Sequence, residues 1–100
     1  MKHPRIEGAL ERALTLGAGP DCPPRLAAAM RDAVFPGGGR VRPALTLAIA
    51  RACGEDDPAM TDACAAAVEL MHCASLVHDD LPCFDDAAYR RGRPSVQHAY

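Results

Sequence analysis

We predict an all-α fold for this chain of 100 residues, and three observations support that prediction. Hydrophobic residues make up 49% of the sequence and are mostly Ala, Leu and Val, whereas aromatic residues contribute only 4% and Trp is absent. Strands prefer β-branched and aromatic residues, so this composition favours closely packed helices. Apolar positions recur at helical spacing, and no segment shows the alternation of a strand. The length allows one small domain or a piece of a larger one.

Two helices are predicted in the first third of the chain. Ile6, Leu10 and Leu14 form the apolar face of the first helix, which is expected to end near Gly17. The proline-rich turn that follows leads into a second helix over residues 24–34, because proline fits the first turn of a helix.

Residues 36–39, Pro-Gly-Gly-Gly, break the second helix. A third helix is expected from about Arg40 to Ala52, with Gly54 as the residue just beyond its end. Its pattern is apolar on most sides.

A fourth helix is predicted to reach about His78, with Thr61 or Asp62 as its N-cap. It is apolar almost all round, which is typical of a central helix and predicts more neighbours than this chain provides. Pro94-Ser95 begins a fifth helix that stops at Tyr100. We therefore expect a truncated form of a larger domain.

Charge and cysteine content restrict the class of protein. A net charge of −2 argues against nucleic-acid binding by bulk electrostatics. Five cysteines, an odd number, and a charged beginning without a signal peptide predict a reduced, cytoplasmic protein. No run approaches the ~18 apolar residues of a membrane span, so we expect a soluble chain.

The most informative segment joins an acidic cluster to a basic one. Four aspartates lie within residues 79–86, and Arg90, Arg91 and Arg93 follow. Carboxylates packed this closely repel one another unless a cation lies among them, and guanidinium groups bind phosphate oxygens. The segment predicts a site for a metal-chelated phosphate, the alternatives being an acidic loop at a helix end and a solvated basic turn.

The position of the acids supports a functional role. Asp79 and Asp80 fall at the C-terminal end of the fourth helix, where a negative charge costs roughly 0.3–1 kcal/mol. Pro82 interrupts the helical ladder, so Asp85 can return beside Asp79. Two carboxylates facing one cavity can bind Mg²⁺ and leave positions for water and phosphate oxygens.

Two further features are candidates for anion binding. The glycines before Arg40 and Arg42 expose backbone N–H groups at a helix start, although they also suit a flexible linker. His72 lies two helical turns before Asp79 and can donate to a phosphate, although a lone histidine on an apolar helix is more often a core residue.

Taken together, these motifs resemble the trans-isoprenyl diphosphate synthase (polyprenyl synthetase) family, over about residues 36–100. The last part of the acidic segment, Leu-Pro-Cys-Phe-Asp-Asp, is most similar to the bacterial and plastid geranylgeranyl diphosphate synthase branch. The matching residues are Gly37, Gly38, Arg40, Arg42, Pro43, Glu69, His72, Ser75, Leu76, His78, Asp79, Asp80, Leu81, Pro82, Asp85, Arg90, Arg91, Gly92, Pro94 and Ser95.

The resemblance implies an antiparallel helix bundle of the isoprenoid synthase type, here truncated to about its first five helices. Residues 1–100 are then the N-terminal part of a single domain. It also implies an enzyme that adds isopentenyl diphosphate to an allylic diphosphate by ionisation, condensation and elimination. Two or three Mg²⁺ ions per full site and a homodimer are implied in the same way.

Residue roles follow from the same resemblance. Asp79 and Asp85 correspond to the metal ligands, and Asp80 supports them. Arg90 corresponds to a ligand of the allylic diphosphate. The ligands of isopentenyl diphosphate correspond to Arg42, His72 and Arg91, together with position 39, where the family has lysine and this chain has Gly39.

Product length in this family depends on residues one helical turn before the first aspartate. Here they are Ala74 and Ser75, and small side chains at these positions imply a C20 product made from a C15 substrate. Met71, another turn away, can still close the pocket.

Three departures from the family leave other functions open. Gly39 replaces a lysine, Gln97 replaces an expected histidine, and the second aspartate-rich motif is absent from this sequence, so we expect the chain alone to be inactive. One alternative is a non-catalytic or regulatory subunit of the family. Another is a metal-dependent phosphohydrolase built on His78 and Asp79.

Overall fold

The computed structural model describes residues 3–100, and within that range it consists of helices and one small hairpin. The helices are α1 (Pro4–Gly17), α2 (Pro24–Val34), α3 (Val41–Ala52), α4 (Pro58–Asp79) and α5 (Val96–Ala99). The strands β1 (Tyr89–Arg90) and β2 (Arg93–Pro94) lie between α4 and α5. The predicted helical fold is confirmed, and each predicted helix is present.

Helix α4 is central, as its apolar composition predicted, since it packs against α1, α2 and α3. Burial of apolar side chains between these helices stabilises the arrangement. The buried core consists of Ile6, Ala9, Leu10, Leu14, Val34, Leu47, Ala65, Ala66 and Cys73.

The prediction that Thr61 or Asp62 caps α4 is wrong. The helix begins at Pro58, and the Asp57 carboxylate caps it by accepting a hydrogen bond from the Met60 N–H at 3.2 Å. Proline pre-sets the backbone of the first turn, so the helix starts earlier than its apolar pattern indicates. Asp62 instead forms ion pairs with Arg5 and Arg12 and thereby joins α4 to α1.

The expectation of no strand is also wrong, although only for a short hairpin. Tyr89 pairs with Pro94, and Arg90 pairs with Arg93. The two residues between the strands, Arg91 and Gly92, both have positive φ, at 52° and 76°. This is the backbone of a type I′ turn, and strands of two residues are too short to show alternation.

Much of the apolar surface of α4 remains exposed. Met60, Val68 and Met71 are exposed, as are Leu45 and Ile49 on α3. By length and composition α4 also satisfies the criteria for a membrane span, which the sequence had not predicted, and core helices of soluble proteins satisfy them too. Within the described residues it packs against three other helices.

Candidate active site

A cavity of about 370 Å³ lies between α4, the loop before α3 and the hairpin. We call residues 36–39 the glycine loop, residues 79–86 the acidic loop and residues 89–94 the arginine hairpin. The predicted site residues that line the cavity are Gly39, Arg42, His72, Asp80, Arg90 and Arg91. Segments far apart in the sequence are therefore brought to one cavity.

More basic than acidic side chains line the cavity. Five arginines line it, and so do three carboxylates, Asp32, Glu69 and Asp80. Each of these carboxylates forms an ion pair with one lining arginine. Within residues 3–100, Arg42 and Arg91 form no ion pair. Two guanidinium groups are thus available to an anion that enters the cavity.

The glycine loop and the arginine hairpin are in close contact. A Cβ atom at Gly38 would overlap the Arg91 guanidinium group, so a larger residue at position 38 would displace that side chain. At Gly39, in contrast, the nearest atom to a Cβ would be Val41 Cγ2 at 3.6 Å. Position 39 therefore has room for a side chain beside the cavity.

Asp80 and Arg90 form a two-pronged ion pair. Arg90 Nε donates to Asp80 Oδ2 and Arg90 Nη2 donates to Asp80 Oδ1, both at 2.8 Å. Asp80 is 3% exposed. Hydrogen bonding to this buried carboxylate raises the pKa of Arg90. The pair leaves the Nη1 edge of Arg90 available, because a guanidinium group has five N–H donors.

The acidic loop returns to the end of α4 through backbone hydrogen bonds. The Asp85 N–H donates to the Asp79 carbonyl at 2.9 Å, and the Ala87 N–H donates to the Asp80 carbonyl at 3.1 Å. Asp79 and Asp85 are both exposed. The predicted return of Asp85 to Asp79 after Pro82 is therefore present in the backbone.

The donors at this loop suit Mg²⁺, which binds hard oxygen ligands and usually retains several waters. Asp79 and Asp85 supply two such carboxylates at one turn. No group of three His, Cys, Asp or Glu side chains among residues 3–100 is arranged to hold a metal. The arrangement therefore fits a metal ion that takes two ligands from the protein and the others from water and phosphate oxygens. It does not fit a metal ion coordinated by protein side chains alone.

Not every predicted site residue lies on the cavity. Asp79, Asp85, Ala74 and Ser75 do not line it and are exposed instead. The Ser75 hydroxyl donates to the His72 carbonyl at 2.7 Å. The structure thus separates a cationic cavity, which contains His72, from an exposed face of α4 that runs towards Asp79.

The sequence analysis missed the ion network around Arg40. Arg40 is 6% exposed, and its guanidinium group pairs with Glu7 at 3.0 Å and with Glu69 at 2.6 Å. Burial lowers the pKa of Arg40, but its hydrogen bonds to Glu7 and Glu69 raise it by more, so the net shift is upward. A glutamate in a helix apolar on all sides was the available signal, because a buried carboxylate needs a cationic partner.

Two other contacts of the hairpin were also missed. Arg93 pairs with Asp32 of α2 at 2.8 Å, which fixes the hairpin beside the cavity. Gln97, the residue that departs from the family pattern, donates its amide to the Ala87 carbonyl at 2.9 Å. The Ser95 hydroxyl donates to the same carbonyl at 2.6 Å, so α5 is joined to the chain just after the acidic loop.

Comparison with protein families gives one match that covers most of the chain. Residues 23–100 match the sequence model of the family described as "Polyprenyl synthetase".

Comparison with individual proteins agrees with that match. The chain is 59% identical over 96 residues to a geranylgeranyl diphosphate synthase of Cereibacter sphaeroides, and 60% identical over 96 residues to one of Rhodobacter capsulatus. These alignments cover 96% of this chain and 33% of each relative, so the chain spans about a third of their length. A crystal structure of a geranyltransferase from Legionella pneumophila superposes with a TM-score of 0.81 at 41% identity, over 96% of this chain and 33% of that one.

Proposed function

The chain belongs to the polyprenyl synthetase family, and on that premise we propose that it forms the N-terminal part of a prenyltransferase with a single isoprenoid synthase domain. The reaction proposed for the whole protein is the addition of isopentenyl diphosphate to an allylic diphosphate. The relatives named geranylgeranyl diphosphate synthase support a C20 product, for which we propose farnesyl diphosphate as the allylic substrate.

The observation that carries this proposal is the pair of cavity arginines that form no ion pair within residues 3–100. Arg42 and Arg91 face a space shared with His72, while the other lining arginines are occupied by carboxylates. Three donors that have no acidic partner in the described part of the chain suit a diphosphate, which carries several charged oxygens. We assign isopentenyl diphosphate to this cavity, with Arg42, His72 and Arg91 as its ligands.

The allylic diphosphate is assigned to the neighbouring acidic loop. Arg90 donates through its remaining edge, and Asp80 holds the guanidinium group in place. Asp80 belongs to the acidic loop, and both Asp80 and Arg90 line the cavity, so the two diphosphates would occupy adjacent positions. Holding two reactants side by side lowers the entropic barrier to their condensation.

Asp79 and Asp85 would hold Mg²⁺ at the acidic loop, in two or three ions per complete site. When bound, the metal neutralises charge on the departing diphosphate. Arg90 stabilises the same charge through hydrogen bonds, which is electrostatic stabilisation of the leaving group.

The exposed face of α4 is assigned to the hydrocarbon chain. Met71, Ala74 and Ser75 lie on it, one and two turns before Asp79. In the complete domain this face would form the wall and floor of an apolar pocket that excludes water from the carbocation. Small side chains at 74 and 75 leave room for a C20 product.

We also propose a cytoplasmic homodimer that acts on small diphosphates and binds no nucleic acid. The small net charge of −2 supports the last point. Helix α4, which among the described residues is the one apolar helix long enough to span a membrane, is assigned to the protein core because it carries the buried Glu69.

A regulatory subunit of the same family is the second candidate, and Gly39 favours it. Gly39 lines the cavity without contributing a cation where the family has a lysine. The metal-dependent phosphohydrolase has less support, since within residues 3–100 no third metal ligand joins His78 and Asp79.

The proposal is tested by comparing Asp79→Asn and Asp85→Asn with Asp86→Asn in the full-length protein that contains this sequence. We expect turnover to fall at least about 100-fold in the first two variants, because each loses a metal-binding charge. Asp86 is the matched control: it is exposed, and asparagine tolerates its positive φ of 47°.

Measurement of product by chromatography separates the alternatives. Condensation product that depends on Asp79 and Asp85 supports the enzyme. Diphosphate release without a new carbon–carbon bond supports the phosphohydrolase. Diphosphate binding without turnover in the wild type supports the regulatory subunit.

A further inference from the structure

Arg40 lines the cavity with a side chain that is almost fully buried. It is the residue before α3, with φ of 53°, and its side chain is 5% exposed. Its guanidinium group contacts Glu7 of α1 and Glu69 of α4, and Nη2 donates to the Val34 carbonyl at 2.8 Å. One side chain therefore joins α1, the end of α2, the start of α3 and α4.

The same guanidinium group lies against the glycine loop. A Cβ at Gly37 would overlap it, and Gly37 has φ of 77°, so the loop runs directly over the Arg40 side chain. Arg40 also lies over the Phe35 ring, at 5.6 Å from its centroid. The path of the backbone at residues 35–38 thus depends on where this guanidinium group is held.

The network also sets which residues face the cavity. Glu69 precedes His72 by three residues on α4, and Arg40 precedes Arg42 by two. The 2.6 Å bond between Arg40 Nη1 and Glu69 Oε2 therefore fixes the register of α4 against the glycine loop. His72 and Arg42, which follow the two bonded residues in the chain, line the same cavity.

We propose that Arg40 is a positioning residue: by fixing the glycine loop against α4, it sets the affinity of the cavity for isopentenyl diphosphate. The inference rests on the proposed function, since it assigns isopentenyl diphosphate to that cavity. Arg40 itself makes no contact with substrate, because its donors are directed to Glu7, Glu69 and the Val34 carbonyl.

The experiment compares Arg40→Lys and Glu69→Gln with Arg5→Lys in the full-length protein. Lysine keeps the charge but cannot reach two carboxylates with a planar fork. Arg5 is the matched control, because it also joins α1 to α4, through Asp62, and contacts Glu55, yet it does not line the cavity.

We expect Arg40→Lys and Glu69→Gln to raise the KM for isopentenyl diphosphate about tenfold, with the KM for the allylic substrate and kcat changed less than twofold. Arg5→Lys should lower the melting temperature without changing either KM. If Arg40→Lys loses stability but keeps the wild-type KM, or if both KM values rise equally, the residue is only structural and the inference is wrong.

Two further measurements keep the test decisive. If Arg40→Lys does not fold, Glu7→Gln replaces it, because Glu7 binds the same guanidinium group and is more exposed. A raised KM of Glu7→Gln for isopentenyl diphosphate would then support the inference, and a wild-type KM would overturn it. Amide exchange at residues 37–39 should be faster in the Arg40 or Glu7 variant than in Arg5→Lys, and equal exchange would overturn the inference. If the wild-type protein neither binds diphosphates nor condenses them, the proposed function is wrong. The amide exchange at residues 37–39 would still show whether Arg40 fixes the glycine loop.

Discussion

Residue 39 is the position where a single side chain most directly limits the charge of the cavity. Gly39 lines the cavity beside Arg42 and contributes no donor. It does not have positive φ, and the nearest atom to a Cβ would be 3.6 Å away, so a side chain can be introduced there without strain.

We expect Gly39→Lys to lower the KM for isopentenyl diphosphate about tenfold, because one charge-assisted hydrogen bond contributes roughly 1.5–3 kcal/mol and part is offset by ordering the lysine. The measurement is steady-state kinetics on the full-length protein. Gly19→Lys is the matched control: it adds the same charge at an open position away from the cavity. An unchanged KM would mean that the cavity already binds the diphosphate fully, and that Gly39 does not attenuate it.

Arg40 and Arg42 illustrate how far single residues could be understood from the sequence. They are two positions apart and chemically identical, yet Arg40 is buried in an ion network and Arg42 is exposed at the cavity. The motif indicated that both matter. Their different roles depend on the positive φ at Arg40 and on Glu7 and Glu69, which lie 33 and 29 residues away. Such distant partners leave no local pattern.

At the scale of elements, the helices were predictable because their apolar spacing and proline breaks are local. The start of α4 could not be predicted in this way, because its N-cap residue, Asp57, lies outside the apolar pattern. Asp57 and Pro58 precede the first buried position of the helix, Ala65, by two turns. The hairpin was not predicted for a related reason. Its turn needs positive φ at both Arg91 and Gly92, and arginine rarely adopts that conformation.

Replacing the true cap tests the corrected start of α4. We expect Asp57→Ala to lower the free energy of unfolding of the full-length protein by about 1 kcal/mol, because the Met60 N–H loses its partner. Urea denaturation measures the effect. Asp56→Ala is the control, since Asp56 is exposed and its side chain makes no hydrogen bond among the described residues. Equal stability of both variants would contradict the assignment.

For the whole molecule, the predicted isoprenoid synthase fold is confirmed by the family match and by the solved structures. The sequence motifs identified the family because the residues that match its pattern cluster within residues 36–43 and 69–95. The division of charge between paired and unpaired arginines required the structure, since each ion pair joins separate elements.

The exposed face of α4 leads to a prediction for the complete domain. Because Ser75 is one turn before Asp79 and exposed, a large side chain there should shorten the proposed hydrocarbon pocket. We expect Ser75→Phe to shift the main product from C20 to C15, with consumption of a C10 allylic substrate retained. Product analysis by chromatography measures it. If C20 remains dominant at normal turnover, the pocket does not follow this face, and Met71→Phe then tests the turn below.

The bonds that shape the acidic loop and the arginine hairpin span short stretches of chain. Asp85 N–H bonds to Asp79, Arg90 pairs with Asp80 and Ser95 N–H bonds to Ala88, and none of these separations exceeds ten residues. Closing such small loops costs little entropy, whereas the Arg40–Glu69 contact must close a loop of 29 residues. The acidic loop and the turn of the hairpin can therefore form through local contacts, whereas docking of the glycine loop against α4 requires a long-range contact.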